Sequence, residues 1–255
     1  MSDFTKRFTT GAIGIIFLGI LIYLGGLYLK FSLAIVSAFA SYELANAFRK
    51  IRIRVNLDAI VLGIVLLLIF DKIVIPEYFA IIAVLVVSFI MFLFGNYSTS
   101  DLTHTVFIFI YVPFIFNLFS QLPRKFFIMV FLIAFITDTF AYLIGSTFGK
   151  HKLIEKVSPK KSIEGAVGGV LGCLIITLIY SYYVGLNINL ELLFLIVASS
   201  IMAQLGDLFA SKIKRITGIK DYSNLLPGHG GLMDRFDSVI MVIPMVYLIY
   251  YFYVL

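Results

Sequence analysis

The sequence predicts an all-α fold, a polytopic transmembrane helical bundle, and three observations carry that prediction. Of 255 residues, 61% are hydrophobic and only 13% charged, with a mean hydropathy of +1.05, which is too apolar for a fold with a polar exterior in water. Apolar segments of membrane-spanning length recur along the whole chain, about 20 residues being enough to cross the hydrocarbon core as a helix. Lys and Arg gather between those segments rather than within them.

In chain order, the spans are expected at 8–29, 31–47, 57–71, 78–96, 104–121, 126–145, 165–185, 190–210 and 236–254. That makes about nine, within a range of eight to ten. The 57–71 segment is short enough to be re-entrant. The first follows Lys6 and Arg7, as a signal peptide would, and Ala38-Phe39-Ala40 resembles a cleavage site. The apolar stretch before it is too long for a signal-peptide core and further spans follow, so an uncleaved first helix is expected. Trp is absent and Tyr numbers 15, so any interfacial aromatic belt is built mainly from Tyr. Cys173 is the single cysteine and sits in an apolar run, which rules out an intrachain disulfide and reads as a small buried hydrophobe.

Placing the N-terminus inside and alternating through nine spans puts most cations on the inner side. Those loops hold Lys6 and Arg7; Arg49, Lys50, Arg52 and Arg54; Lys150, Lys152, Lys156, Lys160 and Lys161; and Lys212, Lys214, Arg215, Lys220 and Arg235. The outer loops hold Lys30, Lys72, Arg124 and Lys125. A multi-pass protein of the cell membrane is expected, with two polar loops, about 146–164 and 211–235, facing the cytoplasm. The net charge of +6 therefore reports topology and a phosphate-rich substrate or anionic lipid heads, and no nucleic-acid partner is expected. The chain reads as one integral membrane domain, 1–255. Residues 1–125 serve as scaffold, the first five spans reading as scaffold or lipid-facing cavity wall with Glu43, Asn46 and Asn117 as their few polar residues, and 126–255 as the catalytic half.

An ionisable side chain at membrane depth costs on the order of 2.5–3.5 kcal/mol even on the lenient insertion scale, so it needs a reason. Asp138 and Asp207 stand out. Gln204, Asp207 and Ser211 share one helical face, a polar stripe that must look into protein or water. Between Ser211 and Ser238 the chain mixes Lys212, Lys214, Arg215, Lys220 and Arg235 with Asp221, Asp234 and Asp237, and includes Pro227-Gly228-His229-Gly230-Gly231. Cations supply donors to polyphosphate oxygens, and glycines let backbone N–H groups approach them. Carboxylates in such surroundings suit a hard cation such as Mg²⁺. Each piece alone has a plainer reading: a turn, a positive-inside signal, a capping residue. Their conjunction does not.

The run Ser211, Lys214-Arg215, Lys220-Asp221, His229-Gly230-Gly231, Asp234-Arg235 and Asp237 resembles the signature of the phosphatidate cytidylyltransferase family. A second stretch, Asp138, Ala141-Tyr142, Gly145, Gly149-Lys150, Ser158-Pro159-Lys160-Lys161-Ser162 and Glu164-Gly165, resembles that family's other cytoplasmic motif. Together they cover roughly 130–240. The resemblance implies attack of a phosphatidate oxygen on the α-phosphorus of CTP, giving CDP-diacylglycerol and pyrophosphate for phospholipid synthesis. It implies Asp207 and Asp234 as paired ligands of Mg²⁺, with Asp138 and Asp237 as further metal or supporting carboxylates, and a second, monovalent cation such as K⁺. Asp221, Lys220, His229 and Arg235 join the catalytic set. Ser158, Lys160, Lys161, Ser162, Glu164, Ser211, Lys214, Arg215, Gly230 and Gly231 form the substrate-binding set, the start of the helix after Ser162 offering N–H groups to an anion. Ala210 departs from the pattern, since many relatives carry Glu there. A homodimer is the default oligomer. The alternatives are a CDP-archaeol synthase or a polyprenol kinase. A transporter would distribute polar residues through the membrane depth, whereas here they cluster at one face.

Overall fold

The computed structural model describes residues 3–69, 76–226, 228 and 230–254. The helices, in order, are α1 (Asp3–Leu24), α2 (Gly26–Arg49), α3 (Leu57–Ile69), α4 (Pro76–Phe94), α5 (Thr99–Phe109), α6 (Ile115–Gln121), α7 (Arg124–Phe148), α8 (Ile163–Tyr183), α9 (Leu190–Thr217) and α10 (Met233–Val254). A π-helical turn, Ile110–Phe114, joins α5 to α6. One antiparallel ribbon, β1 (Lys152–Ile154) with β2 (Ser158–Ser162), precedes α8. The all-α bundle is as expected, and among the described residues seven helices are long and apolar enough to cross a membrane. The chain packs as two compact units. One comprises 1–120 and 216–235, the other 121–215 and 236–255.

In the first unit, the break between the first two helices falls at Gly25 and Gly26, both at positive φ (59° and 50°), rather than at Lys30 as expected. Only glycine tolerates that backbone cheaply. Lys30, expected in an outer loop, is instead on α2 and only 7% exposed. The described part of α3 has 13 residues, about 20 Å of helix at 1.5 Å per residue, against about 30 Å for a full span. Gly63 lets α3 lie against Phe109 and Val84, whose side chains a Cβ would strike. α5 begins five residues before the expected position because Ser98 and Asp101 form a reciprocal cap: Asp101 N–H donates to Ser98 Oγ (3.2 Å) and Ser98 N–H to Asp101 Oδ2 (2.8 Å). The widened π turn accommodates Pro113, which lacks an N–H and would clash in a regular helix.

In the second unit, α7 and α8 pack through small residues. A Cβ on Gly165 would lie 2.6 Å from the Ala141 carbonyl oxygen and 3.0 Å from Gly145 Cα, and Gly168, Gly169 and Gly172 likewise face Ile144, Thr137 and Phe140. Close backbone approach of this kind drives helix association in lipid, where apolar side chains gain nothing by leaving the solvent. Gly165→Ala is therefore expected to cost about 1–3 kcal/mol through overpacking against a backbone that cannot yield. The loss is read as a lowered thermal midpoint in detergent, and an unchanged midpoint would show slack at the contact. Thr137 and Ser200 hydroxyls pair at 2.8 Å between α7 and α9, and α9 starts on Asn189, whose side chain accepts from Leu192 N–H at 2.9 Å.

Both polar loops are shorter than expected. α7 runs on to Phe148 and α9 to Thr217, so Lys212, Lys214 and Arg215 lie on helix, and α10 starts at Met233. The 158–162 segment is the strand β2. Pro159 is tolerated in a two-stranded ribbon because every residue there is at an edge.

Candidate functional site

Within the second unit a cavity of about 520 Å³ opens where α7, β2, α8 and α9 meet. That lies inside the range of small-molecule sites, roughly 300–1,000 Å³. Asp138, Asp207, Lys152, Lys160, Lys161 and Ser162 line it. Each arrives for a local reason. Ser162 caps α8, accepting from Gly165 N–H at 3.1 Å, and Ile163 N–H donates to His151 O at 2.9 Å. Together these bonds close the ribbon onto the helix and fix where Lys160 and Lys161 sit. The same bonds occupy helix-start amides expected to serve an anion, because a helix beginning directly on a strand satisfies its first donors with its own cap and neighbour.

Glu164 completes that clamp. Its carboxylate accepts from Lys150 N–H (3.1 Å) and His151 N–H (3.2 Å), and the His151 ring Nδ1 lies 2.6 Å from Glu164 Oε1. An expected substrate contact is thus already engaged in holding the ribbon. Sequence reasoning passed over His151 because a lone histidine in a lysine-rich loop carries no spacing signal.

The polar stripe on α9 faces protein, as expected. Gln204 Nε2 donates to the Ala166 carbonyl (3.1 Å), and Ser211 Oγ donates to Asp207 Oδ1 (3.3 Å). The other Asp207 oxygen, Oδ2, lies 2.5 Å from Lys161 Nζ, both side chains being about one-quarter exposed. Two more carboxylates feel Asp207. Asp138 on α7 is repelled by it and attracted by Lys161; Asp237 on α10 is repelled by Asp207 and Asp138 and attracted by Lys214. Ser238 ties the helices together, its Oγ donating to Asp138 Oδ2 (3.3 Å) while its N–H donates to Asp237 Oδ1 (2.8 Å). Gly206 gives α9 close access to α10, since a Cβ there would strike the Asp237 carbonyl. Three helices therefore bring Asp138, Asp207 and Asp237 into electrostatic range. Among the described residues, however, no three His, Cys, Asp or Glu side chains converge closely enough to form a ready-made metal cage.

A second constellation lies in the first unit. Asp234 is 8% exposed, and its Oδ2 accepts from Tyr222 N–H (2.8 Å) and Gly231 N–H (3.0 Å). Gly230, at φ +81°, lets Leu226 N–H reach the Gly230 carbonyl at 2.9 Å. Glu43 on α2, 3% exposed, accepts at Oε1 from Ser223 Oγ (2.5 Å) and Leu232 N–H (3.0 Å), and at Oε2 from Met233 N–H (2.8 Å). It thereby satisfies the first donors of α10, with an anion at the positive end of that helix. A Cβ on Gly231 would fall on that carboxylate, so the Gly230-Gly231 pair makes room for a buried acid. Lys220, Asp221 and Arg235 are exposed on this segment, Arg215 is exposed on the last turns of α9 and Ser158 is partly exposed on β2. His229 lies outside the described residues. Asp207 belongs to the second unit and Asp234 to the first.

A helical bundle with seven candidate spans among the described residues is that of a multi-pass membrane protein, and a lysine-lined cavity opens between its helices. The family model described as the cytidylyltransferase family matches residues 5–253, and the chain belongs to that family. Three proteins named phosphatidate cytidylyltransferase resemble it in part. That of Staphylococcus haemolyticus (strain JCSC1435) is 47% identical over 116 residues, 45% of this chain and 45% of its own length. That of Staphylococcus epidermidis (strain ATCC 12228 / FDA PCI 1200) is 45% identical over 122 residues, 48% of this chain and 47% of its own. That of Staphylococcus aureus (strain COL) is 48% identical over 116 residues, 45% of each. The chain thus matches just under half the length of each of these relatives.

Proposed function

We propose that this protein transfers a cytidylyl group from CTP to phosphatidate, releasing pyrophosphate and leaving CDP-diacylglycerol in the membrane, with the site at the cytoplasmic face. One observation carries the reading: a cavity of nucleotide size lined by Lys152, Lys160 and Lys161 together with Asp138 and Asp207. Membership of the cytidylyltransferase family and the names of the relatives support the same reaction.

The chemistry asks for little covalent help. A phosphatidate oxygen is already anionic near neutral pH, so its attack on the α-phosphorus needs no strong base; the P–O bond to the β-phosphate breaks and pyrophosphate carries away the negative charge. The difficulty is bringing two polyanions together, which positioning and charge neutralisation overcome. Lys152, Lys160 and Lys161 hold the triphosphate and the lipid phosphate. Lys214 and Arg215, on the last turns of α9, add positive charge beside Asp237 and at the surface. Ser162 and the clamp on Glu164 fix the ribbon that aims the lysines.

The donor chemistry suits a hard divalent ion that takes one or two carboxylates and completes its shell with phosphate oxygens and water: Asp138, Asp207 and Asp237 offer carboxylate oxygens from three helices, and Ser211 and Ser238 orient two of them. Mg²⁺ held by Asp207 with Asp138 and Asp237 would neutralise phosphate charge and orient the leaving group. A monovalent ion such as K⁺ is a further expectation for the same carboxylates. Asp234 has a demonstrable role beside this, organising the 222–231 segment.

The reading is tested with the purified chain in detergent, Mg²⁺, labelled CTP and phosphatidate. CDP-diacylglycerol and pyrophosphate are expected in equal amounts. Release of CDP with a phosphorylated polyprenol would mark a kinase, transfer only to archaeal ether lipid a CDP-archaeol synthase, and no turnover of CTP with any of these acceptors would contradict the proposal.

A further inference from the structure

The ion pair at the cavity wall suggests an exchange. We propose that Lys161 is a built-in counter-cation for Asp207: a divalent ion and the Lys161 ammonium take the same carboxylate in turn, and the displaced ammonium is what then binds the nucleotide phosphate. This rests on the reading of Asp207 as a metal ligand.

Both Asp207 oxygens are engaged, Oδ1 by Ser211 Oγ at 3.3 Å and Oδ2 by Lys161 Nζ at 2.5 Å. A cation approaching Oδ2 meets the ammonium charge already placed there. The ammonium also offsets repulsion between Asp207 and Asp138, a neutralising role that a dication would take over. Two positive charges would then sit side by side, which expels the mobile one. Only the arm need move. The Lys161 backbone lies on β2, which the bonds around Ser162, Ile163 and Glu164 hold in place. The two side chains are 26% and 29% exposed, so rehydration in transit is cheap, and the cavity both residues line gives the arm room to turn. A nucleotide phosphate bound in that cavity would then accept it, in place of the carboxylate. Metal and nucleotide sites become coupled through one side chain, and such coupling is reciprocal.

The two ligands should respond in opposite directions. Mn²⁺ alone, counted by electron paramagnetic resonance on the full chain in detergent without nucleotide, is expected to bind Lys161→Met about tenfold or more tightly than the wild type. The competing charge has gone, and in this partly exposed setting its effect is well below the bare Coulomb value. CTP, followed by equilibrium dialysis, is expected to bind that variant about tenfold more weakly, roughly 1.4 kcal/mol. Lys161→Arg keeps a cation on Asp207 and should stay within about threefold of the wild type for Mn²⁺. Asp207→Asn should weaken Mn²⁺ in every background. If Lys161→Met binds Mn²⁺ no better, or loses both ligands together as a general lesion would, the exchange is overturned while the metal reading stands, provided Asp207→Asn still weakens the ion. If Asp207→Asn leaves Mn²⁺ binding unchanged, both fall.

Discussion

Asp207→Asn is expected to lower the rate of cytidylyl transfer at saturating CTP by about 10³-fold or more, the scale of losing charge stabilisation at a phosphoryl-transfer centre. Asparagine keeps the size of the side chain and an oxygen for Ser211 Oγ, which donates at 3.3 Å. What it removes is the negative charge that Lys161 pairs with at 2.5 Å and that both Asp138 and Asp237 sense. The fold should survive, because the Asp207 side chain is 29% exposed and α9 is held to its neighbours elsewhere, through the Thr137–Ser200 pair and through Gln204 on the Ala166 carbonyl. The check is an initial-rate comparison at matched protein, with an unchanged thermal midpoint as the control on folding. A loss under about threefold would remove Asp207 from the reaction centre.

Glu43→Ala should have the largest structural effect. The substitution removes the acceptor of the half-buried Ser223 hydroxyl and Leu232 N–H and of the buried Met233 N–H. An unmet buried donor costs about 1–3 kcal/mol, and the two half-buried ones add less. The consequence is local before it is global: the 216–235 segment loses its anchor at the head of α10. Trypsin cleavage at exposed Lys220 is then expected to accelerate at least tenfold, since proteolysis follows the population of the opened state and 1.4 kcal/mol is a factor of ten. Glu43→Gln retains one accepting oxygen and should fall between the two. Equal cleavage of all three proteins would show that the segment is held by something other than this carboxylate.

The two units differ in how far their chemistry could be read from the chain. Helix existence was legible because lipid demands long apolar runs, and Asp138 and Asp207 were legible because charge inside such a run requires compensation. Helix ends were not. α9 continues through Lys212, Lys214 and Arg215 because polar residues extend a helix readily once it leaves the apolar layer, whereas hydropathy marks only where lipid stops. Glu43 looked like one of a few polar residues in a scaffold. Its partners lie between 180 and 190 positions away, and no local pattern reports such a distance. The Lys161–Asp207 pair was hidden for the same reason: both residues were named, but as separate binders of phosphate and metal, and only the fold sets one upon the other. The β1–β2 ribbon was missed because Ser158-Pro159-Lys160-Lys161 has turn composition, while its strand pairing depends on the His151 carbonyl and the cap of α8.

The claim that the cavity beside Asp207 receives the nucleotide is open to one direct measurement. Cys173 is fully buried and is the chain's own only thiol, so an introduced cysteine can be labelled over a low background. Ser146 is exposed and lines the cavity at the C-terminal end of α7, and Arg124 is exposed at the helix's other end, about 33 Å away along the axis. CTP with Mg²⁺ is predicted to slow alkylation of Ser146→Cys at least tenfold and to leave Arg124→Cys untouched. Labelling of Ser146→Cys at an unchanged rate under saturating CTP would contradict the account.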